Sequence, residues 1–360
     1  MSARLAPSSI SELVEAVRST SRLIPVGANT KPRLSNVDAT RLSIGGLRGI
    51  TEYEPSEFTL TALAGTPVAE IAEALRQRNQ YLPFDPMCME AGATLGGTVA
   101  SGLSGPGRFR FGGLRDFILG IRFVDGTGRL LRMGGKVVKN AAGFDLPKFF
   151  VGSLGRFGVL AEITFKVFPQ RVANRTLKLQ VDGADAAAGI AIQAASSRWE
   201  PDAIDYLPDG KNVCVRLAGP AEALDTLSRE ILSRWKGDAL SKSDADKTWS
   251  DLREFRWAFA EGPLIKVAVT PSSWPSFDRS VCALNATRMH VSAGGNVAYV
   301  SLTGRAVFAR FDEELRKLGV AGLTLRGDVP LWCGTRTPTK ITAGVKQALD
   351  PQNRFPSLED

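Results

Sequence analysis

Two glycine-rich segments, around Gly27 and Gly97, hold the groups best suited to chemistry in this chain. In the first, PVGANT at 25–30, Gly27 frees consecutive backbone N–H groups to form an anion nest, and Asn29, Thr30 and Lys31 add donors. The segment lacks the GK[ST] ending of a P-loop and is not followed by GxGxxG, so neither a Walker site nor a Rossmann fingerprint is spelled. The second, ATLGGTVASG at 93–102, removes side-chain bulk at Gly96, Gly97, Ala100 and Gly102, which lets a flat ring or a phosphate approach the backbone. Thr94, Thr98 and Ser101 contribute hydroxyls there. Alone, PVGANT reads more readily as a strand-ending turn, and ATLGGTVASG can also be a tightly packed turn, less readily; together they point to a phosphate-bearing, planar ligand.

Other chemistries are poorly supplied. The chain has a single histidine, His290, on which any Ser-His-Asp triad, Cys-His pair or histidine metal site would depend, and its context TRMHVSAGG favours a structural role. Cys88, Cys214, Cys282 and Cys333 are far apart and form no CxxC pair, which excludes a zinc knuckle or a cysteine-held cluster and leaves them as free thiols; no metal site is expected. Arg288, Arg326 and Arg336 could each grip a carboxylate bidentately, although surface placement is the ordinary fate of such residues. Most of the net charge of +8 lies in the N-terminal half: residues 1–170 carry 20 Lys and Arg against 14 Asp and Glu, the remainder 25 against 23. These charges are scattered among glycines and apolar residues, without aromatic-basic interleaving, so no nucleic-acid partner is expected.

The elements that would position these groups read as α+β. A helix over 8–19 has Ser9 as its cap, Glu12 as capping-box partner, and Ile10, Leu13, Val14 and Val17 on one face. The strand RLIPVG then delivers the first glycine segment. Residues 59–64 alternate as a strand, Pro67 opens a helix reaching Asn79, and FILGIRFVDGTGRLLRM is a strand-turn-strand with Asp125-Gly126 as its hairpin signal. After Pro169 glycine thins out. Helical segments at 183–197 and 220–235 then alternate with strand-like runs at 211–219, 264–271 and 295–304, predicting a second α+β domain with an antiparallel sheet. The expected division is 1–171, 172–335, and a C-terminal helix and tail at 336–360. No apolar run is long enough to span a membrane, and Glu12 and Glu15 interrupt the N-terminal stretch where a signal peptide needs an unbroken one, so a cytoplasmic address is expected.

In order, PVGANT, VAEIAEAL with YLPFDP, ATLGGTVASG, FGGLRDFILGIRFVDGTG and KNAAGFDLPKFFVGSLGRFGVL resemble the p-cresol methylhydroxylase type of FAD-binding domain, made of two α+β subdomains, over residues 1 to 170. Within it, GGKVVKNAAGFDLPKFFVGSLGRFGVLAEITFKVFP is similar to the E-subunit family of bacterial glycolate oxidases. The resemblance implies that Pro25, Gly27, Ala28, Asn29 and Thr30 form a pyrophosphate loop, that Pro86, Thr94, Gly97, Thr98, Ala100 and Ser101 line the flavin and ribityl chain, and that Gly158 and Val159 support the adenine end. Leu154 stands where many relatives have the acidic residue of a GSEG motif, so no contact is carried over to it. Relatives that bind FAD covalently do so through a His or Cys in one of these loops; neither loop has one, and the flavin is expected to be non-covalent. The tail ALDPQNRFPS departs from the Asn-Pro-Gly ending usual in the family.

The resemblance also implies a function and partners. The chain would be a subunit of a glycolate-oxidising complex, acting with a paralogous FAD subunit and an iron–sulfur subunit on a small 2-hydroxy acid, and peripheral to the inner membrane through those partners. The alternative is a stand-alone FAD-dependent dehydrogenase of D-lactate-like 2-hydroxy acids, which requires a base for the hydroxyl proton; no catalytic residue is assigned from the sequence. A degenerate scaffold without flavin is the third reading, and the two intact glycine segments oppose it.

Overall fold

The computed structural model describes residues 4–135, 145–337 and 340–360; the stretch 136–144, part of the GGKVVKNAAGFDLP block, lies outside the described residues. Two compact units form. The first joins Met1–Ser104, Gly113–Gln170 and Thr337–Asp360, the second Gly105–Gly112 and Arg171–Arg336. This grouping differs from the linear division at 171 and 335 in two places: a short segment near residue 108 belongs to the second unit, and the C-terminal tail to the first.

The first unit begins with β1 (Arg4–Leu5), α1 (Ile10–Ser19), β2 (Leu23–Val26) and β3 (Thr40–Ser43), and the strands form a parallel sheet in the order β1-β3-β2. Ser9 caps α1 by accepting from Glu12 N, but Glu12 returns its bond to Ser8 N at 2.8 Å and not to Ser9, so the expected box is displaced by one residue. Leu13 and Val17 are the buried positions of that helix.

Next in the chain come β4 (Ile50–Glu54), β5 (Thr59–Leu63), α2 (Val68–Arg76), β6 (Gln80–Tyr81), α3 (Leu95–Ser101), then α4 (Arg108–Phe111), which belongs to the second unit, and, back in the first, β7 (Ile118–Val124), β8 (Leu130–Gly134), α5 (Leu146–Phe149), β9 (Val159–Lys166) and β10 (Phe168–Pro169). An antiparallel sheet in the order β4-β5-β9-β7-β8 is the frame. Its central strand, VLAEITFK, is buried at six of eight positions, as a strand covered on both faces must be. The β7–β8 connection is a five-residue loop, not a two-residue hairpin turn. The Asp125 carboxylate organises it, accepting from Thr127 N, Thr127 Oγ1, Arg129 N and Arg129 Nε.

The second unit holds β11 (Ala173–Gln180), α6 (Ala184–Ala195), β12 (Ala203–Tyr206), β13 (Asn212–Gly219), α7 (Ala221–Arg234), β14 (Gly237–Ala239), α8 (Lys242–Arg253), β15 (Leu264–Ala268), α9 (Trp274–Cys282), β16 (Thr287–Ser292), β17 (Val297–Leu302), α10 (Arg305–Leu318), β18 (Ala321–Arg326) and β19 (Trp332–Gly334). Its strands form one antiparallel sheet, β14-β11-β13-β12-β16-β17-β15-β18-β19. One face is sealed by α6, α7, α9 and α10 through Ala187, Leu224, Phe277, Phe311 and their neighbours. On Ala203, Leu207 and Cys214 sit Trp249 and Leu252 of α8. Phe109, from the small α4 segment, lies against Gly294, where a Cβ would collide with its ring.

The chain then returns to the first unit with α11 (Lys340–Leu349) and a tail. Leu23 N donates to Arg354 O, and Gly126 N to Leu349 O, each at 2.8 Å. Asp350, fully buried, accepts from Lys346 Nζ at 2.7 Å and from Arg354 N and Phe355 N at 2.9 Å. The carboxylate thus ties the end of α11 to the tail.

Candidate functional site

Within the first unit a cleft of about 750 Å³, part of it open to solvent, is lined from three directions. The end of β2 and the loop after it supply Pro25, Val26, Gly27, Ala28, Asn29, Thr30 and Lys31, followed by Leu34 and Ser35 of a 3₁₀ turn. From α3 and its cap come Thr94, Gly96, Gly97, Ala100 and Ser101. The turn before β9 and the start of that strand add Ser153, Leu154, Gly155, Gly158, Val159 and Leu160, with Ile44 and Ala64 completing the wall.

Twelve of the fourteen residues expected from the sequence meet here: Pro25, Gly27, Ala28, Asn29, Thr30, Lys31, Thr94, Gly97, Ala100, Ser101, Gly158 and Val159. Pro86 and Thr98 do not line it. The second glycine segment folds as the helix α3, from which Gly96, Gly97, Ala100 and Ser101 line the cleft, whereas Leu95, Thr98 and Val99 are buried and do not line it. Pro86 is buried in the loop after β6, outside the cleft.

Local geometry explains the loop's composition. The residue in the left-handed region is Asn29, at φ 58°, and not Gly27; its Oδ1 accepts from Ser35 Oγ at 3.0 Å and Arg41 Nη2 at 3.1 Å. Gly27 is needed because Thr94 Oγ1 lies where its Cβ would be. The same Thr94 caps α3, accepting from Gly97 N at 3.3 Å, so the two glycine segments are fitted through one hydroxyl. Gly96 lets α3 approach the end of β5, since a Cβ there would stand 2.9 Å from Ala64 Cβ. The 153–158 turn is fastened to α3 by Gly152 N to Val99 O at 3.0 Å and Leu154 N to Ala100 O at 2.9 Å. Leu154 takes φ 55°, an uncommon conformation for a branched residue, and Gly155 leaves room for Pro25.

The cleft fits a ligand with a phosphate-bearing backbone and a planar ring. Glycines, alanines and serines make up much of its wall beside Leu34, Ile44, Leu154 and Leu160, the Asn29 loop borders it, and the Oγ of Ser153 is buried in the lining without a hydrogen-bond partner. Sequence reasoning missed Ser153 and Gly155, whose signal is the GSLG motif itself, and Ile44 and Ala64, which only the sheets bring in. Among the described residues no group of three or more His, Cys, Asp or Glu is placed to hold a metal, and no helix is long and apolar enough to cross a membrane.

The candidates in the second unit are differently placed. His290 is buried in β16, its Nε2 2.7 Å from Asp205 Oδ2, stacked on Tyr299 and edge-on to Trp257. Arg288 donates to Trp257 O and lies over Phe259; Arg326 donates to Phe259 O and Gly262 O; Arg336 covers the Trp332 ring. Each arginine therefore has a partner from its own unit.

Comparison with known proteins places these features. A family model described as FAD binding domain matches residues 1–134. Glycolate oxidase subunit GlcE of Escherichia coli (strain K12) is 36% identical over 273 residues, 75% of this chain and 74% of that protein. Glycolate oxidase subunit GlcD of Bacillus subtilis (strain 168) is 29% identical over 158 residues, 44% of this chain and 33% of its own length. A solved structure of alkyldihydroxyacetonephosphate synthase matches with a TM-score of 0.73 over 99% of this chain and 77% of that one, at 18% identity, a likeness of fold. The chain belongs to the family of glycolate oxidase subunit GlcE and carries an FAD binding domain over residues 1–134.

Proposed function

We propose that this chain is the FAD-binding E-type subunit of a glycolate oxidase complex, oxidising glycolate to glyoxylate and passing the electrons onward to a paralogous FAD subunit and an iron–sulfur subunit. The observation that carries the proposal is the cleft itself. Two glycine segments distant in the chain converge on one volume, and Gly27, Ala28, Gly96, Gly97, Ala100, Gly155 and Gly158 keep much of its lining small. Bound there, FAD supplies the two-electron acceptor for the C–H bond of a 2-hydroxy acid.

The chain's own residues would then do the following. The Asn29 loop binds the pyrophosphate through backbone N–H groups, with Lys31 adding charge. Gly97, Ala100 and Ser101 support the ribityl chain and ring from α3, and Gly158 and Val159 the adenine end. No residue of either loop is a Cys or His, which supports non-covalent binding. A stand-alone dehydrogenase would also need a base for the hydroxyl proton. His290 is clamped in the second unit's core, so the base is sought in a partner subunit.

The test is direct. Purified alone, the chain is expected to carry a flavin absorption band, to release FAD on acid or heat denaturation, and to show little bleaching with glycolate or D-lactate in the absence of oxygen, with turnover restored by the partner subunits. A colourless chain that takes up no FAD would overturn the cofactor reading; full glycolate oxidation by the isolated chain would favour the stand-alone enzyme.

A further inference from the structure

Arg156 stands apart among the charged side chains of the first unit. It is fully buried, its Nη2 donates to Leu34 O at 3.2 Å, and its Nε and Nη1 find no acceptor among the described residues. It also forms no ion pair with any described carboxylate. The one acid that favours its charge, Asp360, is engaged by Arg22 at 3.0 Å, and Arg33 and Arg22 oppose it. Burial, aided by those two arginines and resisted by Asp360, pushes the guanidinium down to about 10. A buried cation without a counter-charge destabilises a fold, and natural chains seldom keep one without a use.

Its position suggests the use. Leu34, whose carbonyl it holds, and Ser35 line the cleft, as do Ser153, Leu154, Gly155 and Gly158 on either side of it in sequence. Its own backbone is fixed from behind, since Lys346 Nζ donates to Arg156 O at 2.8 Å and to Phe355 O of the anchored tail at 2.8 Å. The side chain is thus held next to the cleft wall, with two donors and a full charge unspent.

We propose that Arg156 is the buried counter-charge of the anionic part of the ligand, acting through the Leu34–Ser35 wall: the phosphates compensate the guanidinium, and the guanidinium selects for a phosphorylated flavin. The inference rests on the reading of the cleft as an FAD site. It differs from a structural role in what matters: a clamp on Leu34 needs one donor, whereas a counter-charge needs the charge.

Three variants separate these roles. Apoprotein of wild type, Arg156→Lys, Arg156→Gln and Arg156→Met is titrated with FAD by flavin fluorescence, and the melting midpoint of each is recorded before and after saturation. Arg156→Lys, which keeps the charge, should bind FAD within roughly threefold of wild type. Arg156→Gln and Arg156→Met should bind roughly 10- to 100-fold more weakly. Their apoproteins should melt no lower than wild type, because an uncompensated charge has gone. Wild-type affinity in either uncharged variant, or a loss with lysine as large as with glutamine, overturns the inference, and one folded uncharged variant suffices. If wild type itself takes up no FAD, the reading of the cleft falls instead, which the same titration shows.

Discussion

Arg156 in the first unit and Asp205 in the second both carry ionisable side chains removed entirely from water, and their surroundings could hardly differ more. Asp205 is complete: it lies 2.7 Å from His290 Nε2 and accepts from Ser292 Oγ at 2.9 Å and Ala293 N at 3.1 Å, all from one strand and its turn. Arg156 has one carbonyl and two idle nitrogens. A fully satisfied buried carboxyl is a device of the fold, fixing how β12 meets β16; an unsatisfied buried guanidinium beside a cleft is a provision for something that binds.

The largest expected effect lies on the satisfied side. Asp205→Ala leaves His290, Ser292 and Ala293 N without their acceptor and should destabilise the second unit by about 3–5 kcal/mol in chemical denaturation, while FAD affinity of any folded fraction stays unchanged. A loss under about 1 kcal/mol would erase the contrast. Next, Gly27→Val sets a branched side chain on Thr94 Oγ1 and should weaken FAD binding by roughly 100-fold or more, whereas Gly97→Val, whose Cβ meets only that hydroxyl at 3.1 Å, should lose roughly tenfold. Equal losses would show that cleft volume, and not the fit of the two segments, decides.

Asp125 sharpens the comparison from the first unit, as a buried ion that is satisfied there. Burial raises its carboxyl, but bonds from Thr127 and Arg129 outweigh burial and hold it below the usual carboxylate range. Its contribution is therefore full at neutral pH and is lost as pH falls through the folded value, below the unfolded one near ~3.9. Asp125→Asn should remove about 1–3 kcal/mol at pH 7 and flatten the acid limb of stability against pH; an unchanged acid limb would contradict this. The smallest effect concerns thiols. Cys88, Cys214 and Cys333 are buried and Cys282 is exposed, so one thiol should label in the native protein. Burial and Asp278 push the Cys282 thiol up, and labelling should quicken as pH rises above the ordinary thiol range. Rapid labelling of three or four thiols at neutral pH would mean the cores open.

Much of the site was legible because glycine and proline announce backbone constraints locally. PVGANT and ATLGGTVASG were each readable from residue type, and both reach the cleft. The reason assigned to Gly27 was not legible: the left-handed residue is Asn29, and Gly27 is small to admit a threonine from another segment. Thr98 does not line the cleft, because the segment folds as a helix and not as an extended run, so only part of its circumference faces the cleft. Arg156 gave no signal at all, since burial of a charge depends on which distant backbone covers it.

What the sequence by itself determined is the set of elements and the loops that punctuate them. Periodicity, caps and turn formers act over a few residues, and the strands and helices read at 183–197, 211–219, 220–235, 264–271 and 295–304 stand where expected, within a few residues at their ends. What only the tertiary structure decided is membership. Residues 105–112 join the second unit because Phe109 lies on Gly294 and Arg110 pairs with Glu200, and the tail joins the first because β2 and the β7–β8 loop each had a backbone N–H in need of an acceptor. A hydrogen bond between Leu23 and Arg354 spans nearly the whole chain. No local pattern encodes such a bond, because its energy exists only once the core has brought both ends together.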